Sequence, residues 1–133
     1  MPPLGRGPAR RYAATDPRDD PAVTPFSGAV RAGDTLYLSG TLGLGPDRQV
    51  PETADAEAAN VLNNVRNQLE AAGMTMDDLV TVQIFSSDVA DYDAFNRVYR
   101  TYFTREFPAR AFIGAGPLLF GARFEVQGIA VKQ

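Results

Sequence analysis

Leu79-Val80-Thr81-Val82-Gln83-Ile84-Phe85 is the stretch on which the fold turns. Thr81 and Gln83 alternate with Val80, Val82 and Ile84, the period-two pattern of a strand with one covered and one polar face. Helical patterns lie on both sides of it. Upstream, Val61, Leu62, Val65 and Leu69 recur at helical spacing, with Thr53 or Asp55 placed to cap the first turn and Gly73 to end the last. Downstream, Asp88 or Asp91 opens a second helix that stacks Phe95, Val98, Tyr99, Tyr102 and Phe103 on one face. This helix must stop before Pro108, because the residue preceding a proline is pushed away from helical angles. The aromatic stripe reads as core rather than as a stacking platform.

Further out lie the remaining strands. Phe26 to Val30 and Thr35 to Gly40 read as a hairpin about the turn Arg31-Ala32-Gly33-Asp34, and two closing strands fall near 110–116 and 123–131. Strands interrupted by two helices predict an α+β domain, a mixed or mostly antiparallel sheet with both helices on one face. Six of the ten prolines fall within the first 25 residues, a composition that buries too little apolar area to order itself. Residues 1–20 are therefore expected to be a partly disordered arm, regular only where it adds an edge strand near Arg11 to Ala14, and residues 21–133 to be the single domain.

Composition narrows the chemistry. The 133 residues include no histidine and no cysteine, which removes disulfides, thiolate catalysis, the usual metal ligands and the usual general base near neutral pH. Thirteen basic side chains against 16 acidic ones give a net charge of -3, with no basic stripe to track a nucleic-acid backbone. No apolar run approaches the roughly 20 residues of a membrane span, and the basic start lacks the apolar core of a secretory signal, so the expected location is cytoplasmic. The adjacent carboxylates Asp77 and Asp78 read as solvated, and no metal is expected.

What remains for chemistry is a guanidinium and a carboxylate. Arg110 opens the segment Ala109-Arg110-Ala111-Phe112-Ile113-Gly114, and Glu125 follows fifteen residues later in Phe124-Glu125-Val126-Gln127-Gly128-Ile129. Two closing strands that bring this pair together could hold an anion and activate water, or form a plain salt bridge. Alternation places Arg110 with Phe112 and Glu125 with Gln127. Together with Thr81 and Gln83, these polar positions suggest a sheet face uncovered by helices and buried against another polypeptide.

These residues carry a resemblance. Thr24-Pro25-Phe26-Ser27-Gly28-Ala29-Val30, Leu38-Ser39-Gly40, the helix end Leu69-Glu70-Ala71-Ala72-Gly73, Asn96, Phe107-Pro108-Ala109-Arg110, Phe124-Glu125-Val126 and Gly128-Ile129-Ala130-Val131 resemble, in this order and spacing, the RidA (YjgF) family of enamine/imine deaminases. The resemblance covers about residues 24–131. It implies a chorismate-mutase-like fold of the bacillus type, and a homotrimer whose sheets pack inward around three inter-subunit sites. The reaction implied is cofactor-free hydrolysis of carboxylate-bearing enamines and imines, such as 2-aminoacrylate, to 2-oxo acids and ammonia. Arg110 matches the family's carboxylate clamp and Glu125 its water-handling residue. Ser39 and Asn96 match polar positions near the site, Ser39 as a hydrogen-bond partner of substrate or arginine, while Gly40 reads as a backbone requirement.

Departures from the family pattern carry their own message. Phe26 stands where many members have tyrosine, and Phe112 where the best-known deaminases have cysteine. Gly114-Ala115-Gly116-Pro117-Leu118-Leu119-Phe120-Gly121 replaces a more charged stretch. A more apolar pocket and a larger or more apolar substrate are expected. The alternative is a metabolite-binding or sensing protein with little deaminase activity, favoured by the bulk of Phe112 and Phe26; a ribonuclease ranks last, given the acidic balance and the absence of histidine.

Overall fold

Thr53 and Gly73 bracket the longer helix as their chemistry requires. Thr53 has extended backbone and its side chain accepts from the Ala56 amide at 3.1 Å, the N-cap of α1 (Ala54–Ala71). Gly73, at φ +73°, lets the chain turn back, with Gly73 N donating to Glu70 O at 3.0 Å and Met74 N to Leu69 O at 2.9 Å; only a residue free of a Cβ does this without strain. The computed structural model describes residues 8–14 and 24–133. Most of the expected arm lies outside these residues.

The strands are β1 (Arg10–Tyr12), β2 (Ala29–Ala32), β3 (Thr35–Leu42), β4 (Leu79–Ser86), β5 (Ala109–Gly114) and β6 (Phe124–Val131), with α2 (Tyr92–Tyr99) between β4 and β5. They form one mixed sheet in the order β1-β2-β3-β6-β4-β5. The β2–β3 hairpin turns on Gly33 and Asp34, Gly33 taking φ +62°, and β1 supplies the extra edge strand by pairing antiparallel with β2. β4 runs antiparallel to β6 and parallel to β5, so α2 forms the crossover a parallel pair needs.

Both helices cover one face, as expected. Ala58, Val61, Leu62, Val65 and Leu69 of α1 bury against Leu36, Leu38, Val82, Ile84, Phe124 and Val126 of the sheet. Phe95 and Tyr99 of α2 join this core; Val98, Tyr102 and Phe103 pack at its margin, Tyr102 in a 3-10 turn that continues α2. Among the described residues, no helix is long and apolar enough to cross a membrane.

Two details depart from expectation: β2 covers Ala29–Ala32 instead of Phe26 to Val30, leaving Phe26 outside the strand and only Gly33-Asp34 in the turn, and the alternation of β4 is broken at Val80. Val80 does not share the covered face with Val82 and Ile84: the register between β4 and β6 shifts between Leu79 and Thr81, and Val80 is 40% exposed in that bulge. A second bulge sets Ser39 and Gly40 of β3 against the single Gln127 of β6, between the pairs Leu38–Gly128 and Thr41–Val126.

Glu57 lies on the same stripe as Val61 and Val65 yet is fully buried. Its Oε2 accepts from the amides of Arg123 (2.7 Å) and Phe124 (3.1 Å), and its Oε1 from Arg123 Nη1 at 3.0 Å. A buried carboxylate survives only with such partners. The effect is to anchor the first residue of β6, directly before Glu125.

Candidate active site

Arg110 and Glu125 do not meet. β4 lies between their strands, and Arg110 pairs with Val82 whereas Glu125 pairs with Phe85. Val82 and Phe85 are three residues apart in unbroken register, so their side chains point to opposite faces. Arg110 therefore looks to the helix side and Glu125 to the open side, two strand spacings of about 4.8 Å apart across the sheet. Two expectations are corrected: the closing strands are not neighbours, because β4 is inserted between them, and Arg110 with Phe112 lies on the helix-covered face instead of the uncovered one, so that the two residues line separate cavities.

The first surrounds Arg110 on the edge strand. Its Nη1 donates to Asn96 Oδ1 of α2 at 2.8 Å. Its guanidinium carbon lies 4.8 Å from the centroid of Tyr99, 5.6 Å from Tyr92 and 5.8 Å from Phe112. Tyr92, Asn96 and Tyr99 fall at i, i+4 and i+7, one face of the helix, and with Arg110 they line a cleft of ≈ 230 Å³. No carboxylate among the described residues pairs with this guanidinium. Its cationic charge is met by a neutral amide and aromatic faces, which hold a cation without cancelling it. Phe112 does not fill the cleft: its ring packs edge-on to Tyr92 at 5.0 Å and against Phe95 at 5.8 Å, beneath the guanidinium.

The second lies along the far end of β3, past Leu38, where pairing with β2 has ended. A cavity of ≈ 770 Å³ opens there, lined by Glu125, Ser39, Gly40, Phe26, Gln127 and Phe120 among others. Gly40 is not required by backbone angles, since its φ is not among the positive ones. A Cβ at this position would run into Glu125 Oε2 and lie 3.0 Å from Cδ, so the glycine makes room for the carboxylate. Ser39 Oγ donates to Ser27 O at 2.5 Å, and Ser39 N to Gly28 O at 3.0 Å. The hydroxyl proton is thus spent on the segment bearing Phe26, and within the chain Ser39 is a partner of neither Arg110 nor Asn96. Phe26 is 56% exposed at the rim.

At the opposite rim, the apolar stretch holding Leu119 and Phe120 was expected at the pocket, whereas Arg48 was read only as part of a loop. Arg48 (φ +62°) and Phe120 (φ +60°) are the two non-glycine residues with positive φ among those described. They meet at this cavity, the guanidinium carbon of Arg48 lying 5.9 Å from the Phe120 ring. Leu119 and Phe120 are 69% and 59% exposed. Left-handed backbone at non-glycine residues is costly and clusters at ligand-binding sites. Arg48 follows a Pro-Asp turn and Phe120 precedes a glycine, local hints of the unusual backbone angles.

The remaining acidic pair is structural. Asp77 Oδ1 accepts from Thr104 N at 3.0 Å and its Oδ2 from the Thr104 hydroxyl, and these bonds hold its pKa below the ordinary carboxylate value. Asp78 accepts from Thr75 N at 2.8 Å and Gln133 N at 3.2 Å. Both are spent in hydrogen bonds rather than simply solvated. Among the described residues, no group of three His, Cys, Asp or Glu side chains could hold a metal.

Known proteins share this sequence pattern and this fold. The family model described as endoribonuclease L-PSP matches residues 17–132. A goat 2-iminobutanoate/2-iminopropanoate deaminase is 38% identical over 113 residues, covering 84% of this chain and 82% of its own. Among solved structures, RidA from an Antarctic Psychrobacter superposes with a TM-score of 0.81 at 32% identity, covering 92% of this chain and 99% of its own. The Escherichia coli YjgF gene product gives 0.82 at 30% identity, covering 93% and 100%.

Proposed function

The chain belongs to the RidA/YjgF family, also called endoribonuclease L-PSP, and we propose that it hydrolyses enamine or imine intermediates that carry a carboxylate, releasing the 2-oxo acid and ammonia. The observation that carries this reading is Arg110: a guanidinium held from behind by Asn96 and aromatic rings, with no acidic partner among the described residues. Its fork of donors suits a carboxylate, and the uncancelled charge favours an anion.

Glu125 supplies the other requirement. A protonated imine is already electrophilic at carbon, so the reaction needs a positioned water and proton traffic, and neither metal nor cofactor. Water attacks the C=N carbon while Glu125 takes its proton. That proton passes to nitrogen in the tetrahedral adduct, and Glu125, again a carboxylate, takes the hydroxyl proton as the carbonyl forms, the C–N bond breaks and ammonia leaves. The imines named for the goat relative, 2-iminobutanoate and 2-iminopropanoate, are of this class. Leu119, Phe120 and Phe26 at the rim support a larger or more apolar substituent for this protein.

Because the two half-sites face opposite sides of the sheet, the complete site takes Arg110 from one copy of the chain and Glu125 from another. Half-exposed Tyr37, with Ile129, Phe85 and Ile113 on the sheet face that no helix covers, supports the homotrimer expected from the family. The alternative of a binding protein with little hydrolysis drew on the bulk of Phe112 and Phe26; Phe26 is exposed at the rim, and Phe112 is withdrawn from the cleft. The ring's place in the α2 cluster favours the enzyme.

The test generates imines in situ with an amino acid oxidase and follows acceleration of 2-oxo acid release, for wild type, Arg110→Ala and Glu125→Ala. Acceleration by wild type alone is expected. No acceleration with any of several small and aromatic imines refutes the proposal.

A further inference from the structure

Tyr99 sits among rings, with centroids 5.8 Å from Phe95, 4.9 Å from Phe103 and 6.0 Å from Phe107. It is 5% exposed, and its Oη is buried with no hydrogen-bond partner among the described residues. A phenylalanine would fill this space equally well. The hydroxyl instead leaves a buried polar atom unsatisfied, a cost that packing does not return.

What lies beside the hydroxyl explains it. The Arg110 guanidinium rests against the same ring, and Tyr99, Asn96 and Arg110 all line the ≈ 230 Å³ cleft. Burial pushes the phenol up to about 12, against the opposing charge of Arg110 and the hydrogen-bonding approach of the same guanidinium, which falls short of a full bond. The group is thus a neutral oxygen at working pH, able to accept from a guanidinium without neutralising it. An acidic residue here would pair with Arg110 and compete with an anionic ligand.

We propose that Tyr99 is a positioning residue: when Arg110 turns its fork toward a carboxylate, an inward N–H donates to Tyr99 Oη. Of the five guanidinium donors, one then goes to Asn96, one to Tyr99 and two to the ligand. Amide and phenol brace the back of the group while its front grips the carboxylate. The inference rests on the reading of Arg110 as a carboxylate clamp. It assigns the aromatic stripe of α2 a second task beyond filling the core.

Tyr99→Phe removes one oxygen atom and tests the assignment. The expected result is a KM for carboxylate imines raised about tenfold, the worth of one hydrogen bond to a charged group, with kcat within about twofold. The Kd of benzoate, an unreactive carboxylate, rises by the same factor, and the thermal midpoint is unchanged or higher. Wild-type KM and Kd in Tyr99→Phe overturn the inference alone. So does a lowered midpoint with KM unchanged, which makes the hydroxyl structural. A wild-type protein that neither hydrolyses imines nor binds benzoate overturns the Arg110 reading and this one with it.

Discussion

Gly40→Ala separates the role of Glu125 from the stability of the fold. The new Cβ would stand 3.0 Å from Glu125 Cδ and 3.3 Å from Cγ, and collide with Oε2. Carbon pairs prefer about 3.5–4.0 Å, so the carboxylate must shift by roughly 1 Å. Glu125 is only half-buried and its side chain can swing away, while position 40 has no positive φ to strain an alanine. The folded state thus loses little, and the unfolded chain loses some freedom, worth about 0.4–1 kcal/mol in favour of the variant. A misplacement of that size at a reacting group costs about 100-fold in rate. The oxidase-coupled imine assay should show kcat/KM down by about two orders of magnitude, close to the loss in Glu125→Gln, with urea midpoints near wild type. Full activity in Gly40→Ala would show that the carboxylate's position is irrelevant and that Glu125 does not handle the water.

Three other outcomes follow from the same contacts. Glu57→Ala leaves two amides and a half-buried guanidinium without their acceptor, and urea denaturation should register a loss of about 3–5 kcal/mol. Phe120→Gly relieves a left-handed aromatic residue and should raise stability by up to about 1 kcal/mol, while lowering kcat/KM for aromatic imines relative to 2-iminopropanoate; an unchanged substrate ratio would remove Phe120 from the specificity rim. Asp77 is held below its ordinary value of 3.8 by the Thr104 hydroxyl and amide, so its contribution is present above that pH and fades as the pH falls through the lower folded value. Hydrogen exchange at the Thr104 amide should lose protection there, and Asp77→Asn should lack this pH dependence.

Elements were legible wherever a local pattern determines them. Val61, Leu62, Val65 and Leu69 repeat with the helix, Gly73 ends it, and Gly33-Asp34 turns the hairpin; each is settled within a few residues. Strand order is not local. Alternation put Arg110 and Phe112 on one face, but assigning them the uncovered face failed, because only the pairing of Arg110 with Val82, made possible by the α2 crossover, decides which face it is. Gly40 was misread for the same reason: its cause is a carboxylate 85 positions away in sequence. Val80 failed because a bulge breaks the parity on which alternation relies. Glu57 could have been found as a charge on an apolar helical stripe, and Tyr92, Asn96 and Tyr99 as polar atoms spaced along an aromatic one.

The opposed outlook of Arg110 and Glu125 has a genetic consequence. Residues that cannot meet within one polypeptide can be lost separately and restored by mixing. Arg110→Ala and Glu125→Ala chains, each inactive alone, should regain imine hydrolysis when unfolded together and reassembled, because in the proposed assembly some clefts between copies then receive an intact arginine from one parent and an intact glutamate from the other. The double variant Arg110→Ala/Glu125→Ala mixed with wild type yields no such rescue beyond dilution. Complementation between two dead alleles would thus report, without any structure, that the chemistry belongs to the assembly and not to the chain.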